Sequence, residues 1–290
     1  MAKMKEIGVA VLGFGTVGAG VVETLQKNGA LLAERLGLRL VLRGVADLDL
    51  VRDRGVAIDR SLLTADAAAL IARPDVDVVV ELIGGTGAAK QLVLQTLRLG
   101  KPVVTANKKL LAEHGEEIHR VAEEHHTEIL FEASVGGGIP IIKALREGLC
   151  ANGILNGTCN YILTRMEQEK LPFDEVLKAA QAAGYAEAEP SLDIDGYDTA
   201  HKAAVLASLA YGGNVPLAKV KVTGIRGLAA ADIDYAADMG YRIKLLAIIK
   251  GAHGAVEVGV QPTLVEHSHQ LAAVSGVFNA VLVKGDIAGT

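Results

Sequence analysis

Between Gly184 and Lys202 the chain reads GYAEAEPSLDIDGYDTAHK. Five carboxylates (Glu187, Glu189, Asp193, Asp195 and Asp198) share this stretch with one lysine, Lys202, which leads into the apolar run Ala203–Tyr211. On a helix, Asp198 and Lys202 would share one face, because residues four apart are neighbours there. A helix start needs one carboxylate as its cap. It does not need five acids and a lysine at the edge of a buried face, where charge is costly unless paired or used. A lysine ammonium can give a proton and stabilise negative charge as it develops. Carboxylates grip ammonium and hydroxyl groups through charge-assisted hydrogen bonds. The stretch therefore reads as a polar catalytic pocket over an apolar support. His201 adjoins Lys202 but would point elsewhere on a helix, so it reads as a bystander.

Such a pocket needs elements to hold it. Ile7–Leu12 is a short apolar run, followed by Gly13–Gly18 (GFGTVG) and a helical pattern toward Leu36. Further strands are expected at Leu38–Ala46, Asp75–Leu82, Lys101–Thr105 and Glu128–Phe131, with helices at Ala88–Leu99 and His114–His125. Strands alternating with helices indicate a parallel sheet, since each parallel return needs a crossover. Residues 1–133 are expected to form a Rossmann-type, doubly wound α/β dinucleotide-binding domain. Beyond the SVGGG run at 134–138 the pattern changes. Helices are expected at Ile139–Leu149 and Asn156–Glu169, then β runs at Val220–Val222, Arg242–Lys250, Ala255–Val260 and Ala280–Lys284. Residues 134–290 therefore read as an α+β domain for substrate binding and dimerisation on an antiparallel or mixed sheet. Whether the last residues return to the first domain stays open.

Composition narrows the class. At 290 residues, 50% hydrophobic and 22% charged, the chain has room for two cores. A net charge of −5, no Trp and 3% aromatics argue against nucleic-acid binding. No apolar run is long enough to span a membrane, and no secretory leader is evident; a cytoplasmic location is expected. Cys150 and Cys159 show neither metal spacing nor a disulfide framework.

GFGTVG lies after an expected strand and before an expected helix, the context a dinucleotide fingerprint requires. Gly13 permits the turn, Gly15 admits the pyrophosphate, and Gly18 lets helix and strand pack closely. The free N–H groups at Thr16 and Val17 would receive the anion. Asp47, ending the second β run, suits the ribose hydroxyls of NAD, whereas Arg43, Arg52 and Arg54 are near enough in sequence to favour NADP. Asp47 could equally be a turn residue. Thr105, Asn107 and Lys108 follow a strand end and are expected to face the nicotinamide, with Lys109 solvated.

With these residues in place, GFGTVG, TANKKLLA (Thr105–Ala112), FEASVGGGIPII (Phe131–Ile142), LNGTCNYIL (Leu155–Leu163) and the acidic stretch together resemble homoserine dehydrogenase, in the family's order and over most of the chain. The resemblance implies NAD(P)-dependent interconversion of L-homoserine and L-aspartate 4-semialdehyde, a step toward threonine and methionine. It implies Lys202 as catalytic lysine and Lys108 as a second. It places substrate contacts at Glu187, Asp193, Asp198, Gly157, Thr158 and Tyr161, and a cofactor contact at Gly184. It also implies a sodium site at Glu132 with the carbonyls of Val135, Gly137 and Ile139. A homodimer through the second domain is expected on another ground, since Arg242–Lys250 and Ala255–Val260 are too apolar to alternate cleanly with solvent. Asn156–Asn160 would supply donors for the substrate carboxylate. Three departures stand out. Ala46 replaces a frequent basic residue, which favours NAD at least as much as NADP. Cys159 replaces Thr or Ser. The sequence stops at Asp286–Thr290, before the family's Gly-rich closing segment and regulatory ACT domain, so threonine feedback is expected to be absent. Two other readings are a nucleotide sensor on the same scaffold and a semialdehyde-oxidising enzyme with a cysteine nucleophile.

Overall fold

A computed structural model describes residues 4–146, 151–211, 215–252 and 255–283. The chain divides into two compact units, Met1–Ser134 and Val135–Thr290.

In the first unit, β1 (Lys5–Leu12), β2 (Leu38–Ala46), β3 (Leu63–Thr64), β4 (Val78–Glu81), β5 (Val103–Thr105) and β6 (Ile129–Leu130) form one parallel sheet. Its order among the described residues is β3-β2-β1-β4-β5-β6. The helices are α1 (Thr16–Leu36), α2 (Ala67–Ala72), α3 (Ala88–Arg98) and α4 (Lys108–Glu124). This is the doubly wound arrangement, and strand order reverses between β1 and β4, where such sheets bind nucleotides. Val9, Val11, Phe14, Ala19, Val22 and Val45 pack one core cluster; Ala10, Leu12, Leu70, Ile71 and Val79 pack another. The alternation of β1 residues between the two clusters is what a strand buried on both faces requires.

Two expected elements differ, and two further short ones were not expected. The Asp75–Leu82 run yields a strand only from Val78. Asp75 instead pairs with Arg73 at 2.7 Å, and the Asp77 carboxylate accepts from Gly8 N at 2.6 Å, so these acids make a turn. The helix expected at His114 begins at Lys108, because the Asn107 side chain caps it by accepting from Leu110 N. The short β3 and α2 carry too little periodic sequence to be foreseen.

The second unit holds α5 (Ile141–Arg146), β7 (Ala151–Ile154), α6 (Gly157–Glu169), α7 (Phe173–Ala182), α8 (Ser191–Ile194), α9 (Tyr197–Tyr211), β8 (Lys221–Val222), α10 (Ala230–Asp238), β9 (Tyr241–Ala252), β10 (Ala255–Glu266) and β11 (Ala280–Val283). Its sheet runs β11-β7-β9-β10-β8. Among the described residues only the β8–β10 pair is parallel, so the sheet is mixed. The end of the helix expected at Ile139–Leu149, with Cys150, lies outside the described residues. The main correction concerns α9. It starts at Tyr197, not after Lys202, so Asp198 and Lys202 both lie in its first turns. Gly196, at φ 88, ends the turn before it, and a carboxylate near a helix N-terminus is favoured by the helix dipole.

Candidate active site

The glycine loop sits at the switch point of the first sheet. Gly13 has φ 94, and a Cβ there would lie 2.6 Å from Leu82 O; at Gly18 a Cβ would lie 2.0 Å from Gly13 O. Both positions are closed to larger residues by the protein itself. Gly15 is different: a Cβ there meets nothing within 4 Å. Gly15, Thr16 and Val17 are exposed, and Gly15 caps the 21-residue α1 with no side-chain bond. The open N-terminus of a long helix, behind a turn without side chains, suits a pyrophosphate.

Asp47 ends β2 against this loop. Its Oδ2 accepts from Phe14 N at 2.6 Å and its Oδ1 from Asp49 N at 2.9 Å. Arg54 Nη2 lies 3.6 Å from Asp47 Oδ1 and 3.9 Å from Asp49 Oδ2. Asp47 thus clips the glycine loop to the sheet.

Across the switch point, a carboxylate that the sequence reading passed over organises the loops. Glu81 is fully buried. Its Oε1 accepts from Ile83 N and Gly84 N, and its Oε2 accepts from the Thr105 hydroxyl at 2.6 Å. Thr105 Oγ1 in turn accepts from Asn107 N, and Asn107 Nδ2 donates to Gly85 O. Thr105 and Asn107, expected to face the nicotinamide end, thus have their side-chain polar groups engaged within the loop. Lys108 opens α4, half-buried, and Lys109 is exposed beside Glu113.

The second unit gathers the lysine and the acids. Lys202 Nζ donates to Asp198 Oδ2 and to Leu155 O, each at 2.6 Å. The Asp198 side chain is 6% exposed and that of Lys202 17%. Asn156 is the hub. Its Nδ2 donates to Asp193 Oδ1 at 2.7 Å and Asp198 Oδ2 at 2.9 Å, while its Oδ1 accepts from Cys159 N and so caps α6. The Asn156 amide is thus engaged with two acids, and the backbone and hydroxyl donors expected of Asn156–Asn160 are a separate set. The N-cap rule, an Asn just before a helix, was the signal for this position. Asn160 points away, donating to Val274 O and Phe278 O. Gly157 and Thr158 form the first turn of α6, and the Thr158 hydroxyl donates to Tyr185 O at 2.7 Å. The Tyr161 ring lies 4.9 Å from that of Tyr185. Gly184 (φ 77) and Glu187 sit on the exposed turn after α7, and neither joins the bonded cluster. Arg226, also missed, fastens the acidic loop by donating to both oxygens of Asp195 and to Ser191 Oγ. His201 is buried inside α9.

Cys159 is fully buried, and burial, with Asp193 and Asp198 nearby, pushes its thiol well above the ordinary range. A thiol held neutral is no nucleophile, which removes the described cysteine from the semialdehyde-oxidising reading. Among the described residues no cluster of three or more His, Cys, Asp or Glu could hold a metal. No described helix is long and apolar enough to cross a membrane.

A parallel sheet with an open glycine turn at its switch point, and a lysine–carboxylate pair in a second unit, define a nicotinamide-dependent oxidoreductase on a Rossmann fold. A sequence model of homoserine dehydrogenase matches residues 140–290, and one of the homoserine dehydrogenase NAD binding domain matches residues 13–132. The homoserine dehydrogenase of Synechocystis sp. is 48% identical over 98% of this chain, and that of Neisseria gonorrhoeae 46% over 99%; the chain spans 67% of the length of each. The crystal structure of a homoserine dehydrogenase from Thiobacillus denitrificans superposes with a TM-score of 0.95 at 43% identity, covering 100% of this chain and 68% of that one. A hyperthermophilic archaeal homoserine dehydrogenase, solved with NADPH, gives 0.80 at 25% identity, covering 98% and 89%. The chain belongs to the homoserine dehydrogenase family.

Proposed function

We propose that this enzyme interconverts L-homoserine and L-aspartate 4-semialdehyde, with Lys202 as the proton-transfer group. The observation that carries this reading is the Lys202–Asp198 pair in the first turns of α9, in a chain of this family. A bound nicotinamide supplies or accepts the hydride. Lys202 Nζ gives its proton to the developing alkoxide in reduction and takes it back in oxidation. Leu155 O and Asp198 hold the ammonium in place beforehand, so little reorganisation is needed. Asp193, Asp198 and Glu187 bind the substrate's ammonium and hydroxyl, and the first-turn N–H groups at Gly157 and Thr158 suit its carboxylate. Tyr161 flanks that turn. The family resemblance assigns cofactor contacts to Gly184 and Lys108, with Lys108 as the supporting lysine. An absorbance assay at the reduced-nicotinamide band, with L-homoserine or aspartate semialdehyde, tests the reading. No turnover with either substrate and either cofactor contradicts it.

For the cofactor, we infer that NAD is used at least as well as NADP. Asp47 accepts from free ribose hydroxyls and repels a 2′-phosphate, while Arg54 against it partly offsets that repulsion. Asp47→Ala is expected to weaken both cofactors, through the lost Phe14 clip, and to shift the kcat/KM ratio toward NADP. Arg54→Met shifts it toward NAD. Each shift is about tenfold, the scale of one charge contact of about 1.4 kcal/mol. A wild-type preference for NADP that neither substitution moves would show that this corner does not read the 2′ position.

A sodium ion at Glu132 with the Val135, Gly137 and Ile139 carbonyls is also part of the proposal. Gly136 and Gly137 both take the left-handed conformation, at φ 76 and 59, turning the loop's carbonyls sharply. Ile139 O already accepts from Ile141 N, and a carbonyl keeps a second lone pair for a hard cation.

The same reading makes the enzyme a homodimer through the second unit's sheet. Leu246, Ile248, Leu264 and Leu271 line a groove on β9, β10 and the turn after them, beside Lys250, Glu266 and His269, and Leu264 is 50% exposed. The apolar part of this face suits a cover. Light scattering at micromolar concentration is expected to give a dimer, and Leu264→Lys a monomer. A monomeric wild type contradicts this.

A further inference from the structure

One buried charge in the second unit has no part in the site as described. Lys244 on β9 is 1% exposed. A methionine or leucine would fill that place without the desolvation cost of an ammonium. The charge has a use, seen in its contacts. Lys244 Nζ donates to Val274 O at 2.6 Å and to Asn160 Oδ1 at 3.1 Å. Asn160 Nδ2 donates to Val274 O at 3.3 Å and to Phe278 O at 3.1 Å. Gly276 N donates to Thr164 Oγ1 at 3.1 Å, and a Cβ on Gly157 would lie 2.6 Å from Val277 O. The segment Val274–Phe278 is thus a strap along α6 from Gly157 to Thr164, fastened where Lys244 and Asn160 meet. Immediately before that strapped turn stands Asn156, which holds Asp193 and Asp198.

We propose that Lys244 is a positioning residue for homoserine: by fastening the Val274–Phe278 strap to α6 it fixes the turn from which Asn156 orders Asp193 and Asp198. This rests on the reading of the Asp198–Lys202 pair as the reactive centre. Loosening the strap lets the first turn of α6 shift, and small displacements of binding groups weaken productive binding strongly. None of the strap's bonds named above involves the glycine loop.

The test is steady-state kinetics of Lys244→Met and Thr164→Val in the full chain. Lys244→Met is expected to raise KM for homoserine about tenfold, the scale of one buried charge-assisted hydrogen bond, with KM for the dinucleotide unchanged. Thr164→Val removes only the acceptor for Gly276 N. It shifts KM the same way by a smaller factor and serves if Lys244→Met does not fold. A merely structural role would lower kcat with the active fraction and leave both KM values alone. A second readout comes from stability against pH. Burial brings the Lys244 ammonium down to about 8, with Arg242 on β9 adding to the shift and Glu167 on α6 opposing it. The unfolded chain keeps that proton to about 10.4. Between these values only the unfolded chain is protonated at this position, so stability rises with pH across the window. In Lys244→Met that rise is lost. Wild-type KM for homoserine in both variants, beside an inactive Lys202→Ala, would overturn the positioning role alone. An active Lys202→Ala would overturn both readings.

Discussion

Lys202→Ala lowers kcat about 100- to 10,000-fold, the usual cost of removing a positioned proton donor, while affinity for the dinucleotide stays near wild type. The two effects separate because Lys202 makes its contacts in the second unit, with Leu155 O and Asp198, and none of them touches the glycine loop. Asp198 keeps the Asn156 amide as a donor in the variant, so the buried carboxylate is not left bare and the chain folds. Stopped-flow or steady-state assays in both directions, with a fluorescence titration of the reduced cofactor, measure both quantities. A kcat within about tenfold of wild type is too small a loss for the proton donor and removes Lys202 from that role.

Gly15→Val abolishes dinucleotide binding without unfolding the chain. Gly15 has an ordinary φ of −71 and open space where a Cβ would go. A valine there costs the protein little. It fills the place where the pyrophosphate must reach the backbone, and Kd is expected to rise more than about a hundredfold, roughly 3 kcal/mol. Gly18→Val provides the contrast, because its Cβ would lie 2.0 Å from Gly13 O and the loop itself must break. Calorimetry separates the two: Gly15→Val keeps its Tm and Gly18→Val does not. Unchanged cofactor affinity in a folded Gly15→Val would mean that GFGTVG is not the nucleotide loop.

These two sites were legible in the sequence for different reasons. The glycine loop's strand–turn–helix pattern is local in sequence, although Leu82 and Asp47 from elsewhere also close on it. The Asp198–Lys202 pair was visible because helical spacing brings the two together. The Asn156 clasp was not, because its partners lie 37 and 42 residues away and no local pattern announces them. Glu81 was hidden in the same way: in VVVEL it reads as a strand end, and only the fold brings Thr105 to it. Lys244 sat inside RIKLLAIIK as one of the charges flanking an apolar strand. Its burial is decided by α6 and the strap, which periodicity cannot foresee. For Thr105 and Asn107 the strand-end position was legible, whereas the local hydrogen bonds that engage their side chains were not.

The ring of bonds through Leu155, Asn156, Asp198 and Lys202 also bears on how activity returns after denaturation. The Leu155 carbonyl and the Lys202 ammonium are 47 positions apart, with α6, α7 and α8 between them. Each helix can form early from its own residues, but closing so long a loop comes only when α9 docks beside α6. Regain of turnover in a refolding experiment therefore lags the far-ultraviolet helix signal. The interval between the two traces times the docking of these helices.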